Sequence, residues 1–130
     1  MPGMDAAAST NELRGPEALA PKLLYAADAR LTRYSPVADI TRLSSLASAA
    51  VTAGHGHVLD TTHVIFPNGA ITLVLILAES HLSIHTWPEE GLIAIDLFSC
   101  GAIDGDAVVS GLARSLRLDC VRVRRLRRGW

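Results

Sequence analysis

The chain has 130 residues, 49% hydrophobic and 19% charged, which is enough apolar material for one packed core and too little length for two. A formal net charge of -1 argues against nucleic acid as the main partner, because phosphate binding needs a marked excess of Lys and Arg on one face. Two cysteines, Cys100 and Cys120, are too few for a disulfide framework and point to a reducing, cytoplasmic setting.

Residues 1–20 carry Asp5, Glu12 and two prolines without the basic start and apolar middle of a signal peptide, and are expected to form a flexible extension ahead of an ordered domain at 21–130. Lys22–Leu31 reads as a first strand. Ser35-Pro36 then offers an N-cap and a first-turn proline, predicting a helix with Val37, Ile40, Leu43, Ala47, Ala50 and Val51 on one face and Gly54 at its end. Three apolar, β-branched stretches follow: His57–Phe66, closed by Pro67-Asn68-Gly69, then Ile71–Glu79 and His81–Trp87. The greasiest run, Ile71–Ala78, is far short of the roughly 20 residues that span a bilayer, so it reads as a buried strand and no membrane partner is expected. Leu92–Phe98 is a further strand, Asp104–Leu116 a second amphipathic helix and Cys120–Leu126 a closing strand.

The order β-α-β-β, β-β-α-β suggests halves related by a pseudo-twofold. It predicts an α+β fold, a two-layer sandwich of one mainly antiparallel sheet with two helices on one face. The sheet's other face would be left without a helical layer. Arg122, Arg124, Arg125, Arg127 and Arg128 interleave with Val121 and Val123, which reads as a strand with an apolar face on the helices and a basic face outward rather than a nucleic-acid patch. His55, His57 and His63 lack any accompanying ligand pattern and read as a polar turn and strand residues, with no metal expected.

Ser80 stands between Glu79 and His81 at the junction of two strand-like runs, with Ser83, His85 and Cys100 downstream. Strand alternation sets His81, Ser83 and His85 opposite Leu82 and Ile84, so polar chemistry can gather on one face. Spacing alone leaves both readings open, since such residues are more often satisfied polar groups than catalysts.

The eleven residues Glu79-Ser80-His81-Leu82-Ser83-Ile84-His85-Thr86-Trp87-Pro88-Glu89 decide between them. With Ala94-Ile95-Asp96-Leu97-Phe98-Ser99-Cys100-Gly101 downstream and Phe66-Pro67-Asn68-Gly69 and Thr72 upstream, this stretch resembles the signature of the bacterial and archaeal S-adenosylmethionine decarboxylases. The resemblance implies a proenzyme cut between Glu79 and Ser80 into a β chain, 1–79, and an α chain, 80–130. Ser80 would become a covalent pyruvoyl group that forms a Schiff base with the substrate amine, with no metal and no pyridoxal phosphate. It further implies His85 as proton acceptor in processing, Thr72 as oxyanion donor, Cys100 as proton donor in decarboxylation, and Phe66, His85 and Glu89 as substrate-binding residues. Cys120, outside the motif, is expected in the core.

A homodimer with sites near its interface is also implied, and decarboxylated S-adenosylmethionine as aminopropyl donor for polyamine synthesis. The chain departs from the family's pattern in its first strand, Pro21–Asp28, and at Leu73, where a side chain replaces glycine and is expected to narrow the space beside the cleavage site. A relative with the same chemistry on arginine or ornithine is the second reading. A non-catalytic paralogue that binds a partner is the third.

Overall fold

The computed structural model describes residues 21–129, so the expected extension at 1–20 lies outside the described residues. Strands β1 (Lys22–Arg30), β2 (Val58–Ile65), β3 (Ile71–Leu77), β4 (Ser80–Trp87), β5 (Leu92–Ser99) and β6 (Asp119–Arg128) are joined with helices α1 (Ile40–Ala53) and α2 (Gly105–Ser115). They form one open six-stranded sheet in the order β2-β3-β4-β5-β1-β6. Every neighbouring pair is antiparallel. The expected α+β sandwich is therefore found, with the two halves interleaved: β1 is inserted between β5 and β6.

The two-residue period explains the layers. On β3 the residues Ile71, Leu73, Leu75 and Leu77 are buried, as are Leu82 and Ile84 on β4 and Ile93, Ile95 and Leu97 on β5. They form one core cluster with Leu43, Ala47 and Val51 of α1 and Val108 and Leu112 of α2. Burying each of the Leu, Ile and Val side chains contributes about 1.5–3 kcal/mol, which holds both helices to one face. The intervening residues, among them Thr72, Val74, Ile76, His81, Ser83, His85, Asp96 and Phe98, share the opposite face, which no helix among the described residues covers.

The structure changes four local expectations. Helix α1 begins at Ile40, capped by Asp39, whose carboxylate accepts from the N–H groups of Thr41 and Arg42 at 3.0 and 3.2 Å. Ser35 does not cap it, because its hydroxyl is engaged by Thr32 N–H at 2.9 Å and donates to the Arg117 carbonyl at 3.2 Å. Cys120 is exposed rather than in the core, at a left-handed φ of 52° beside the irregularity where β6 joins β1. Strand β6 does not separate its faces: Val123, Arg125 and Arg127 sit opposite Ala27, Tyr25 and Leu23, while Arg124 and Leu126 sit opposite Ala26 and Leu24. As an edge strand with arginines on both sides it is poorly suited to pairing with another edge. Finally, Leu73 is wholly buried opposite Ile84, at the other end of the β3–β4 pair from Ser80, so its side chain fills the core and does not narrow the space beside the Glu79-Ser80 junction.

Leu97, fully buried at the centre of the sheet, is expected to be costly to truncate: Leu97→Ala should lower unfolding free energy by about 2–5 kcal/mol in urea titrations.

Candidate active site

Strands β3 and β4 are joined by Ala78 and Glu79 alone, since Leu77 and Ser80 are already register partners. Two-residue hairpin loops match strand twist best when the loop residues take positive φ. Neither Ala78 nor Glu79 does; the positive value, 138°, falls on Ser80. A non-glycine residue there stores of the order of 1–3 kcal/mol of strain.

Strand β5 ends beside this turn, and Cys100 follows it. The Cys100 N–H donates to the Glu79 carbonyl at 3.2 Å, and the Cys100 thiol lies 3.3 Å from the same oxygen. Ser80 Oγ is 4.0 Å from Cys100 Sγ. A hydroxyl, the carbonyl that precedes it and two donors on that carbonyl are thus collected at one end of the sheet. This is the arrangement that an attack of Ser80 Oγ on the Glu79 carbonyl carbon requires.

The other predicted residues lie elsewhere. Thr72 and His85 are register partners, and Thr72 Oγ1 is 3.1 Å from His85 Nδ1. His85 is five residues along β4 from Ser80, roughly 17 Å at about 3.4 Å per residue. Around His85 opens a cavity of about 540 Å³ lined by Phe66, Pro67, Asn68, Thr72 and Trp87 among others. Its rim is built by the turn from Phe66 to Ala70, closed by Gly69 N–H to the Phe66 carbonyl at 2.8 Å, with Gly69 at a φ of 88° that glycine tolerates. The carboxylate of Glu89, on a short 3₁₀ turn at Pro88–Glu90, accepts from the Asn68 amide at 3.0 Å. Buried Thr86 accepts the Ile71 N–H at 2.9 Å, locking the start of β3 to the end of β4 beneath the cavity.

The structure therefore gathers Glu79, Ser80 and Cys100 at one end and Phe66, Thr72, His85 and Glu89 at the other. Within one chain it does not bring the two groups together. Three contributors escaped the sequence reading. Asn68 read as a turn residue and Trp87, like it, as part of the signature, neither with a role of its own. His57, read as a polar turn, bonds the Glu79 carboxylate, with Nδ1 2.7 Å from it. Trp87, an aromatic ring set among the polar residues of the motif, was a usable signal; the backbone N–H of Cys100 has none. Among the described residues no group of three or more His, Cys, Asp or Glu is placed to hold a metal ion. No helix among them is long and apolar enough to cross a membrane.

Residues 24–129 match a family model described as S-adenosylmethionine decarboxylase. A protein of Picrophilus torridus named S-adenosylmethionine decarboxylase proenzyme is 36% identical over 108 residues, 82% of this chain and 78% of that one. One of the same name from Symbiobacterium thermophilum is 37% identical over 103 residues, 78% of each chain. Another, from Pyrobaculum arsenaticum, is 38% identical over 79 residues, which span only 59% of its length. The crystal structure of the adenosylmethionine decarboxylase from Aquifex aeolicus superposes with a TM-score of 0.72 at 25% identity, covering 85% of this chain and 92% of that one.

The strain at Ser80 is open to measurement with two variants that both lack the hydroxyl. Ser80→Gly should be more stable than Ser80→Ala by about 1 kcal/mol in thermal unfolding, because glycine takes the 138° φ without a Cβ penalty.

Proposed function

The chain belongs to the S-adenosylmethionine decarboxylase family, and from that premise we propose that it is a proenzyme that cuts itself between Glu79 and Ser80 and then decarboxylates S-adenosylmethionine. One observation carries the first step: Cys100 grips the Glu79 carbonyl while Ser80 is held beside it in strained backbone. Ser80 Oγ attacks the Glu79 carbonyl carbon, and the Cys100 N–H stabilises the oxyanion that develops. The amide bond to Ser80 breaks and an ester takes its place, which also relieves the strain. Removal of the Ser80 α-proton then expels the main-chain carboxylate of Glu79 as a new C-terminus and leaves a dehydroalanine, whose imine form adds water and loses ammonia to give the pyruvoyl group at residue 80.

Held there, the pyruvoyl group supplies an electrophilic carbonyl that takes the substrate amine and draws off the electron pair released with CO2. Cys100, 4.0 Å from the Ser80 side chain, returns a proton to the α-carbon of the product. The product, decarboxylated S-adenosylmethionine, is an aminopropyl donor for polyamine synthesis. A free thiol at this point suits a reducing compartment, and we place the reaction in the cytoplasm.

The cavity beside His85 supports a nucleoside substrate. Phe66 and Trp87 offer rings for adenine and for the sulfonium cation, and Glu89, oriented by Asn68, suits ribose hydroxyls. Arginine and ornithine have no purine ring to stack on Phe66 or Trp87 and no sugar hydroxyls to donate to Glu89, so they would leave these groups unused. S-adenosylmethionine is therefore favoured over arginine or ornithine.

Ser80 and His85 stand too far apart on one rigid strand to act together in one protomer. We propose that a second copy completes each site. The uncovered face carries Val64, Ile76, Trp87 and Leu126, 43–56% exposed, together with partly buried Leu24, Val74 and Phe98, a surface that a second sheet would shield. A two-fold across β4 reverses strand direction, laying Thr72 and His85 of the partner subunit over the Ser80–Cys100 end. The Thr72 bond occupies His85 Nδ1 and leaves Nε2 as the base for the Ser80 α-proton, while the Thr72 hydroxyl serves as a further oxyanion donor.

Mass spectrometry of the purified chain should show two fragments divided at Glu79/Ser80, the second blocked by pyruvoyl, and the protein should release CO2 from S-adenosylmethionine in preference to arginine or ornithine. Ser80→Ala should remain whole and release none; a cut in that variant refutes the nucleophile. Mixed dimers of Ser80→Ala with His85→Ala should recover about half the wild-type activity through one intact site, as two sites per dimer require. Complete inactivity of the mixed dimer would place His85 and Ser80 in the same protomer's site.

A further inference from the structure

We propose that His57 is a positioning residue for self-cleavage, acting through the Glu79 side chain to hold the two-residue turn in its strained form. The proposal rests on the reading that the chain is cut between Glu79 and Ser80.

His57 precedes β2 and makes three bonds to the turn. Its N–H donates to Glu79 Oε1 at 3.0 Å, its Nδ1 lies 2.7 Å from Glu79 Oε2, and its carbonyl accepts the Ala78 N–H at 2.9 Å. An ionised carboxylate only accepts hydrogen bonds, so the ring's partner nitrogen is the protonated one. The Glu79 side chain is 13% exposed and that of His57 72% exposed. A carboxylate so far removed from water needs donors, and His57 supplies two of them.

Glu79 is thereby held from both sides. Its side chain is tied to the β2 side by His57, and its carbonyl is tied to the β5 side by Cys100. Rotation of the turn towards an unstrained hairpin form would have to break one grip or the other. Loss of the His57 grip frees the Glu79 carbonyl to swing away from the Cys100 N–H and from Ser80 Oγ, with the φ of Ser80 relaxing as it does so. His57 touches none of the reacting atoms; its effect passes wholly through the carboxylate. This separates it from a residue that merely stabilises the fold, whose loss would be felt whatever stood at position 79.

The test follows cleavage directly. The full chain is made by cell-free translation, pulse-labelled, and the division into two fragments is timed on gels. His57→Ala should slow cleavage about tenfold, the effect of one lost charge-assisted bond, since the backbone donor remains. His57→Asn, whose amide nitrogen lies close to the place of Nδ1, should recover most of the rate. In a Glu79→Ala background, His57→Ala should bring no further slowing. A His57→Ala chain that cuts at the wild-type rate overturns the proposal, as does equal slowing in both backgrounds, which would mark a general structural effect. A wild-type chain that stays whole defeats the cleavage reading itself, and this proposal with it.

Discussion

The tight turn of Ala78 and Glu79 is the constraint on which the rest of the site depends. With Leu77 and Ser80 already paired, two residues must reverse the chain, and neither is glycine or asparagine, the residues that meet the twist of a hairpin most readily. The misfit appears at Ser80 as a φ of 138°, at the serine proposed to attack the preceding carbonyl. The turn is kept in this form by neighbours on both sides, Cys100 after β5 and His57 before β2. Strain of this kind persists only where surrounding structure overdetermines it. Here the surrounding structure is the sheet itself: β3 and β4 are interior strands, anchored by Leu73, Leu75, Leu82 and Ile84 in the core.

Strand rigidity has a second consequence. Since β4 carries Ser80 at its start and His85 near its end, a single extended strand sets the two chemical groups apart and no side-chain rotation can reunite them. The same strand alternation that buries Leu82 and Ile84 leaves His81, Ser83 and His85 on the uncovered face. An antiparallel sheet can leave one face to water, but this face mixes its polar residues with exposed Val64, Ile76, Trp87 and Leu126, which favours a cover. The proposed second copy answers both needs at once, covering the face and supplying the distant pair.

The edges behave differently from the centre. Both β2 and β6 are exposed along their length, and β6 carries arginines towards either side of the sheet, one of them, Arg125, 3.4 Å from Asp106 of α2. That pair is well exposed and adds little to stability. The basic strand contributes more by discouraging edge-to-edge pairing.

Periodicity and turn chemistry were enough to make the architecture legible. The alternating residues of β3, β4 and β5 announced a half-covered sheet, and the apolar stripe of α1 announced the layer above it, because these patterns depend on local geometry alone. The start of α1 was misplaced for a tertiary reason: Ser35 is drawn into a bond with the Arg117 carbonyl, which lies 82 residues away. Cys120 was misplaced because an irregularity between β1 and β6 turns it outward. For the site, the run from Glu79 to Glu89 identified the family by likeness, since residue identities are preserved in the chain itself. What only the tertiary structure decided was the company each residue keeps: Cys100 and His57 gripping Glu79, Asn68 orienting Glu89, and Thr72 with His85 far from Ser80. Those relations arise from strand register and from contacts between distant segments, and no reading of neighbours along the chain contains them.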